Sequence, residues 1–138
     1  MGTEESKAWV RRLTEEAWNR GEFGVIDELV APNYTETNPA SPEEVRGAEG
    51  FKTFITTIRT AFPDFHLALE SMIADGEGVA ACWTVRGTHR GEFLGIPPTH
   101  RQVIVPGVTV FRIAGGKIME GRAYWDRVGM LEQLGLAP

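Results

Sequence analysis

The chain lacks the features typical of cross-linked, membrane-spanning and nucleic-acid-binding proteins. It has one cysteine, Cys82, so an internal disulfide is excluded. No apolar run approaches the ~20 residues that a membrane-spanning helix needs. Acidic side chains outnumber basic ones by 19 to 14, which argues against nucleic acid and against an anionic membrane surface as partners.

The remaining composition is that of an ordinary globular protein, with 42% hydrophobic and 24% charged residues. A chain of 138 residues buries enough apolar surface to fold without disulfides or metal, so residues 1–138 are predicted to form a single domain. Its histidines, His66, His89 and His100, fit no standard metal-ligand spacing, and no metal site is predicted. The acidic segment 1–5 lacks the apolar core of a signal peptide, so a cytoplasmic location is expected.

The chain begins with two predicted helices. An apolar face runs along Glu5–Arg20, and Gly21 is well placed to end this helix in a left-handed conformation. A short second helix carries apolar residues from Phe23 to Val30, and Pro32 prevents it from continuing.

The third helix is the clearest predicted element. It follows a short extended piece at Tyr34–Asn38 and a loop over residues 39–48 that is rich in proline and glycine. Pro63 ends it. Its apolar residues recur at the spacing of one helical face: Phe51, Phe54, Ile55, Ile58, Ala61 and Phe62.

The second half of the chain is rich in strands. A turn separates the first two strands, and Gly115-Gly116 is a two-residue turn between the last two. A short terminal helix comes after the last strand. Helices followed by a meander of strands predict an α+β fold, in which a curved, mostly antiparallel sheet wraps around the helices and leaves a cavity. The predicted strands are Phe65–Ala74, Val79–His89, Gln102–Ala114 and Lys117–Trp125.

Three segments carry a resemblance to a known family. Residues 86–99, RGTHRGEFLGIPPT, resemble the GTHxGEFxGIPPT segment of SnoaL-like proteins. Residues 116–135 look like the last strand and tail of that family, and residues 61–64 match the end of its third helix. The chain is therefore similar, in order along its whole length, to the SnoaL-like branch of the nuclear-transport-factor-2 and ketosteroid-isomerase superfamily.

The resemblance implies a cone-shaped, cystatin-like α+β roll around a pocket for an apolar small molecule. It also implies that no cofactor is needed and that the protein forms a homodimer through the outer face of its sheet. A carboxylate of the last strand is the acid/base in the family's cyclases. The matching position in this chain is Asp126.

The last strand supplies the predicted catalytic group. Alternation along the strand places Arg122, Tyr124 and Asp126 on one face. Asp126 is the predicted acid/base, and Tyr124 or Tyr34 would donate a hydrogen bond to an enolate oxygen. Arg122 and Asn38 are predicted polar positioners. From its position before a short helix, Asp126 is also a good N-cap, and this role stays open.

The other predicted substrate-binding residues are mostly large and apolar. Core packing is the alternative for Trp83, and a hydrogen-bonded strand end is the alternative for His89. Phe93 lies in a loop stiffened by two prolines, which is predicted to form a fixed rim of the pocket. These residues are Phe54, Ile58, Trp83, His89 and Phe93, together with Tyr34 and Asn38.

Three positions depart from the family pattern. Thr37 stands where many relatives carry a histidine, and His100 follows the PPT motif where a glycine is common. Arg122 lies near the place of a frequent tryptophan. These differences change the polar lining expected for the pocket.

The sequence leaves three functions open. The first is a cofactor-independent isomerase or aldol-type cyclase acting on an apolar ketone, ester or polyketide-like substrate. The second is epoxide hydrolysis or dehydration, which needs another carboxylate, from Glu36, Glu70 or Glu120. The third is a non-catalytic binding module for an apolar metabolite, in which Asp126 only caps a helix.

Overall fold

The computed structural model describes residues 2–136, in which helices cover one face of a six-stranded sheet. The helices are α1 (Thr3–Arg12), which continues into a π-helical turn (Leu13–Trp18), α2 (Gly24–Leu29), α3 (Gly47–Ala61) and α4 (Arg127–Gln133). The strands are β1 (Val30–Thr37), β2 (Val45–Arg46), β3 (His66–Ala74), β4 (Gly78–Thr88), β5 (Gln102–Ala114) and β6 (Lys117–Trp125). None of the helices in residues 2–136 has both the length and the apolar character needed to cross a membrane.

The strands are arranged in the order β2-β1-β6-β5-β4-β3. All neighbours are antiparallel except β1 and β6, which run parallel. The predicted α+β fold and the bounds of β5 and β6 are confirmed. Strand β2 lies inside the predicted loop of residues 39–48, and a strand of two residues is too short to show any alternation in the sequence.

The predicted first helix contains a π-helical turn. The amide of Asn19 donates to the carbonyl of Thr14 over 3.0 Å, a bond that spans five residues instead of four. The side chain of Asn19 then binds the backbone of Leu67 twice, at 2.8 and 2.9 Å. This pair of bonds joins the end of the helix to the edge strand β3 and holds Trp18 over the concave face of the sheet.

Helix α3 supplies the centre of the core. Its predicted apolar face is buried, and Phe51 and Ile55 have no exposed surface. The ring of Trp18 meets Phe51 and Phe54 edge to face, at centroid distances of 6.1 and 5.9 Å. Helix α3 packs on β1 and β2, α1 packs on β3 and β4, and a cavity remains between these helices and the concave face of the sheet.

Candidate active site

A cavity of about 100 Å³ lies between the helices and the concave face of the sheet. Its walls are largely apolar and aromatic, with a few polar groups, a composition typical of small-molecule sites. The polar side chains on its walls include Thr14, Glu36, Asn38 and Thr109. Large apolar side chains on its walls include Phe54, Ile58, Phe62, Trp83, Phe93 and Trp125.

Glu36 is the carboxylate of this cavity, and only 3% of its surface is exposed. It lies on β1, where Tyr34 and Glu36 alternate with outward residues and so both face inward. The Tyr34 hydroxyl donates to Glu36 Oε1 over 2.8 Å, and Asn38 Nδ2 donates to Oε2 over 3.0 Å. Both carboxylate oxygens are therefore held in place from the protein side.

The environment of Glu36 changes its acidity. Burial raises the pKa of Glu36 from 4.5 to about 7, although the hydrogen bonds from Asn38 and Tyr34 favour the charged form. Burial also raises the pKa of Tyr34 well above its usual range, so this hydroxyl stays protonated as a donor. Near neutral pH, Glu36 is thus able both to accept and to return a proton.

Asn38 is oriented by a second pair of hydrogen bonds. Its Oδ1 accepts from Trp125 Nε1 over 3.0 Å and from the amide of Ala40 over 2.9 Å. Because both donors fix the oxygen end of the amide, the nitrogen end faces Glu36. Trp125 therefore helps to determine the hydrogen bonding of the carboxylate, although it does not touch it.

Gly121 makes room for the pair of Tyr34 and Glu36. Strand β6 places it directly beside Glu36 in the parallel pairing with β1. A Cβ at this position would collide with the Tyr34 hydroxyl and lie 3.2 Å from Glu36 Oε1. A glycine in the middle of a strand is unfavourable on its own, and here it permits a close approach of side chains from the next strand.

Gly121→Ala is expected to lower the free energy of unfolding by about 1–3 kcal/mol, because the added methyl group overpacks the site. Urea unfolding at pH 7 measures this change. Gly24→Ala is the matched control, since no neighbouring atom lies within 4 Å of a Cβ there. Equal stability of the Gly121 variant and the wild type would contradict the close packing of this strand against Tyr34.

The predicted convergence of Arg122 and Tyr124 on the cavity is wrong. The pairing of β5 with β6 shifts register between Ile118 and Glu120, so the residues after this point alternate in the opposite phase to that counted from Ile118. Ile118 is fully buried, whereas Arg122 is exposed and Tyr124 is 53% exposed. Their side chains lie on the outer face, and Trp125 lines the cavity from the inner face.

Asp126 also lies outside the cavity lining. Its Oδ1 accepts a hydrogen bond of 2.8 Å from the amide of Gly129, and it is the N-cap of α4. The side chain is exposed. The cap role is confirmed, and the expected projection of this carboxylate into the pocket is corrected.

Most of the predicted substrate-binding residues do line the cavity: Asn38, Phe54, Ile58, Trp83 and Phe93. Tyr34 is fully buried and does not belong to the lining, so its predicted contact with a substrate is corrected: its hydroxyl bonds Glu36 instead. His89 is fully buried and is not part of the lining. Its Nδ1 is 3.0 Å from Thr99 Oγ1, and its ring stacks on Phe62, so it supports the loop after β4.

The loop that carries Phe93 is bonded to the end of α3. The amides of Arg90 and Gly91 both donate to the carbonyl of Ala61, at 2.9 and 3.1 Å. Phe93 and Ile96 exchange two backbone hydrogen bonds around a tight turn. These bonds hold Phe93 at the cavity as a wall residue.

The sequence analysis named Glu36 only as one of three candidates for a second carboxylate, and it missed Thr14 and Thr109 as residues of the cavity wall. The alternation of Tyr34 and Glu36 was a usable signal, because an acidic residue on the inward face of a strand is rare. Among the described residues, no group of three His, Cys, Asp or Glu side chains is placed to hold a metal ion.

Comparison with known proteins identifies the family. A profile of the SnoaL-like polyketide cyclases matches residues 8–134. The chain belongs to this family. The resemblance read from the sequence motifs is therefore confirmed.

Relatives of this SnoaL-like protein are named as cyclases. Aklanonic acid methyl ester cyclase DauD of Streptomyces sp. strain C5 is 33% identical over 130 residues, which cover 91% of this chain and 79% of the relative. Nogalonic acid methyl ester cyclase of Streptomyces nogalater is 34% identical over 122 residues, 86% of this chain and 90% of the relative. Family and relatives together support a cyclase-type enzyme.

A solved structure shares the fold over nearly its full length. It is a protein from Jannaschia sp. CCS1 described as a SnoaL-like polyketide cyclase, with a TM-score of 0.89 and 28% sequence identity. The match covers 99% of this chain and 95% of that one. The SnoaL-like α+β roll predicted from the sequence is thus supported by structure as well as by motif.

Proposed function

We propose that this SnoaL-like protein catalyses an aldol-type cyclisation of a polyketide-like ketone or ester, with Glu36 as the general acid/base. The observation that carries the proposal is a buried carboxylate on the wall of an apolar cavity, with a pKa of about 7. The sequence assigned the acid/base role to Asp126. We assign this role to Glu36 instead, because Asp126 caps α4 and does not belong to the cavity lining.

The proposed reaction needs one group that removes a proton and later returns it. Glu36 takes a proton from the carbon next to a carbonyl, and the electrons of the C–H bond form an enolate. The enolate carbon then attacks a second carbonyl carbon of the same molecule, which forms the new C–C bond and an alkoxide. The protonated Glu36 gives its proton to this alkoxide, so the carboxylate is regenerated and the atoms balance.

The surroundings of Glu36 suit this exchange of protons. A catalytic base works best when its pKa lies near the working pH, and burial brings Glu36 to that range. Tyr34 and Asn38 each hydrogen-bond one oxygen of the carboxylate, so its orientation is kept while its charge changes. The apolar walls keep water away from the reactive enolate.

The substrate class rests on the relatives and on the cavity walls. DauD and the nogalonic acid methyl ester cyclase are named for methyl ester substrates. Aromatic side chains of the lining, among them Trp83 and Trp125, offer flat apolar surfaces that suit the rings of a polyketide.

The alternative of epoxide hydrolysis or dehydration has less support. That chemistry requires a second carboxylate in the cavity, and neither Glu70 nor Glu120 belongs to the lining. Glu70 accepts a hydrogen bond from Thr84 in an exposed position, and Glu120 lies beside Arg122 and Arg112. Glu36 is the acidic residue of the cavity lining within residues 2–136.

The pH dependence of proton exchange tests the proposal. Proton NMR in deuterated water monitors loss of the α-protons of aryl ketones and β-keto esters between pH 5.5 and 8.5, with the rate in buffer alone subtracted. The deprotonated form of Glu36 is the active base, so the rate should rise with pH and level off above about 7. A protein-dependent rate that stays constant over this range would contradict a base with the raised pKa of Glu36.

A further inference from the structure

Thr109 is a polar residue of the cavity wall on β5. Strand β6 lies between β5 and β1, the strand that carries Glu36. Thr109 is 8% exposed and belongs to the lining. In the pairing of β5 with β6, Thr109 lies opposite Ala123. Two residues before Ala123 on β6, Gly121 pairs with Glu36 on β1. Adjacent strands are about 4.8 Å apart, so the two residues face the same cavity from strands about 10 Å apart.

The hydroxyl of Thr109 has one identified hydrogen-bond partner in residues 2–136. Trp83 Nε1 donates to Thr109 Oγ1 over 2.9 Å. An indole nitrogen can only donate, so the threonine oxygen is the acceptor and its own proton points elsewhere. Because Thr109 lines the cavity, a ligand there is the available acceptor for this proton.

The position of Trp83 is itself fixed by the sheet. Its ring lies against Gly107, where a Cβ would collide with three ring carbons. Gly107 is two residues before Thr109 on the same inward face of β5. The glycine thus lets the indole lie flat on the strand, with its N–H directed at the threonine hydroxyl.

We propose that the Thr109 hydroxyl donates a hydrogen bond to the carbonyl oxygen of the substrate, the oxygen on which negative charge develops when Glu36 removes the α-proton. This inference rests on the proposed function of Glu36. It assigns the substrate orientation: the acidic carbon faces β1 and the carbonyl oxygen faces β5. Substrates without a carbonyl or a similar acceptor at that place should bind more weakly, because the donor would be left unpaired.

Infrared spectroscopy of a bound ketone tests the hydrogen bond without any reaction. The probe is a series of aryl ketones with a carbon-13 label in the carbonyl group, bound to Glu36→Gln so that the ketone stays intact. The carbonyl stretch should move to lower wavenumber on binding. The shift should disappear when Thr109→Val is added and persist when Thr109→Ser is added, because serine restores the hydroxyl.

Kinetics of the single variants give the second readout. In the wild-type background, Thr109→Val should lower the rate of proton exchange by about 10²-fold, the effect of removing one donor to a developing oxyanion. The KM should change only by a few-fold, and Thr109→Ser should recover most of the rate. Urea unfolding checks that each variant is folded.

The outcomes separate this inference from the proposed function. A carbonyl shift that survives in Thr109→Val, or a protein that neither binds nor shifts any ketone of the series, would overturn the role of Thr109. A shift that depends on the threonine hydroxyl supports it even if the wild type catalyses no exchange. In that case the proposed role of Glu36 fails, and Thr109 remains a carbonyl-binding residue.

Discussion

Glu36→Gln is expected to lower the rate of α-proton exchange by about 10²–10⁴-fold, the usual contribution of a positioned general base. Glutamine has nearly the same shape and can still accept a hydrogen bond from Asn38, so the site should keep its structure. It cannot accept a proton from carbon. The measurement is the NMR exchange rate at pH 8, where the wild-type carboxylate is mostly ionised.

Asp126→Asn is the matched control for this prediction. Asparagine is as good an N-cap as aspartate, so α4 should remain capped while the charge is lost. We expect an exchange rate within a few-fold of the wild type, because Asp126 is exposed and outside the cavity lining. A large loss of activity in this variant, with none in Glu36→Gln, would assign the catalytic base to Asp126.

The second large effect concerns stability, since the buried carboxylate of Glu36 makes the folded protein sensitive to pH. Burial in the folded protein raises its pKa to about 7 from the ordinary value of 4.5, which is the value expected in an unfolded chain. Between these values the folded state retains a proton that the unfolded state releases, so stability falls as the pH rises through this range. A raised pKa of this size lowers the free energy of unfolding by roughly 3 kcal/mol, and this loss is complete above pH 7.

Glu36→Gln removes this contribution. The variant and the wild type should have similar free energies of unfolding at pH 4.5, and the variant should be more stable by roughly 3 kcal/mol at pH 8. Urea unfolding at several pH values gives the difference in free energy of unfolding between variant and wild type. The other carboxylates are the same in both proteins, so their titration cancels in this difference. Glu70→Gln, at an exposed position, is the control for a simple loss of charge. A difference that does not change with pH would mean that Glu36 has an ordinary pKa.

Together these two results would make Glu36 a residue that lowers stability and supplies activity. The inactive variant would be the more stable protein at neutral pH. Such an inverse relation is expected wherever a reactive group is kept in an apolar site.

The fold was predictable because its signals are local and periodic. The apolar face of α3 repeats at helical spacing, and Gly115-Gly116 marks the turn between two strands whose bounds were predicted correctly. The family motif at residues 86–99 placed these elements in one known architecture. The π-helical turn at Leu13–Trp18 was not predictable in this way, since its apolar spacing differs little from that of an α-helix.

The candidate site was only partly predictable, because it depends on register and on contacts between distant segments. The shift between Ile118 and Glu120 changes which side chains of β6 face inward, and the alternation rule carried no sign of it. Glu36 was a candidate carboxylate, but its burial depends on the parallel pairing with β6, more than 80 residues away in sequence. Phe54 and Ile58 do lie on the cavity wall, and their position was predictable because they belong to a regular helix.

The π-helical turn also bears on how the cavity can change in related chains. It adds a residue to the helix between Thr14 and Asn19, and each added residue rotates the rest of the helix by about 100°. Because of this added rotation, the side chain of Trp18 lines the cavity and the side chain of Asn19 hydrogen-bonds to β3. Removal of one residue at this point would turn both side chains away together. A change of length by one residue in this helix would therefore reshape the cavity more than a conservative substitution of any residue on its wall.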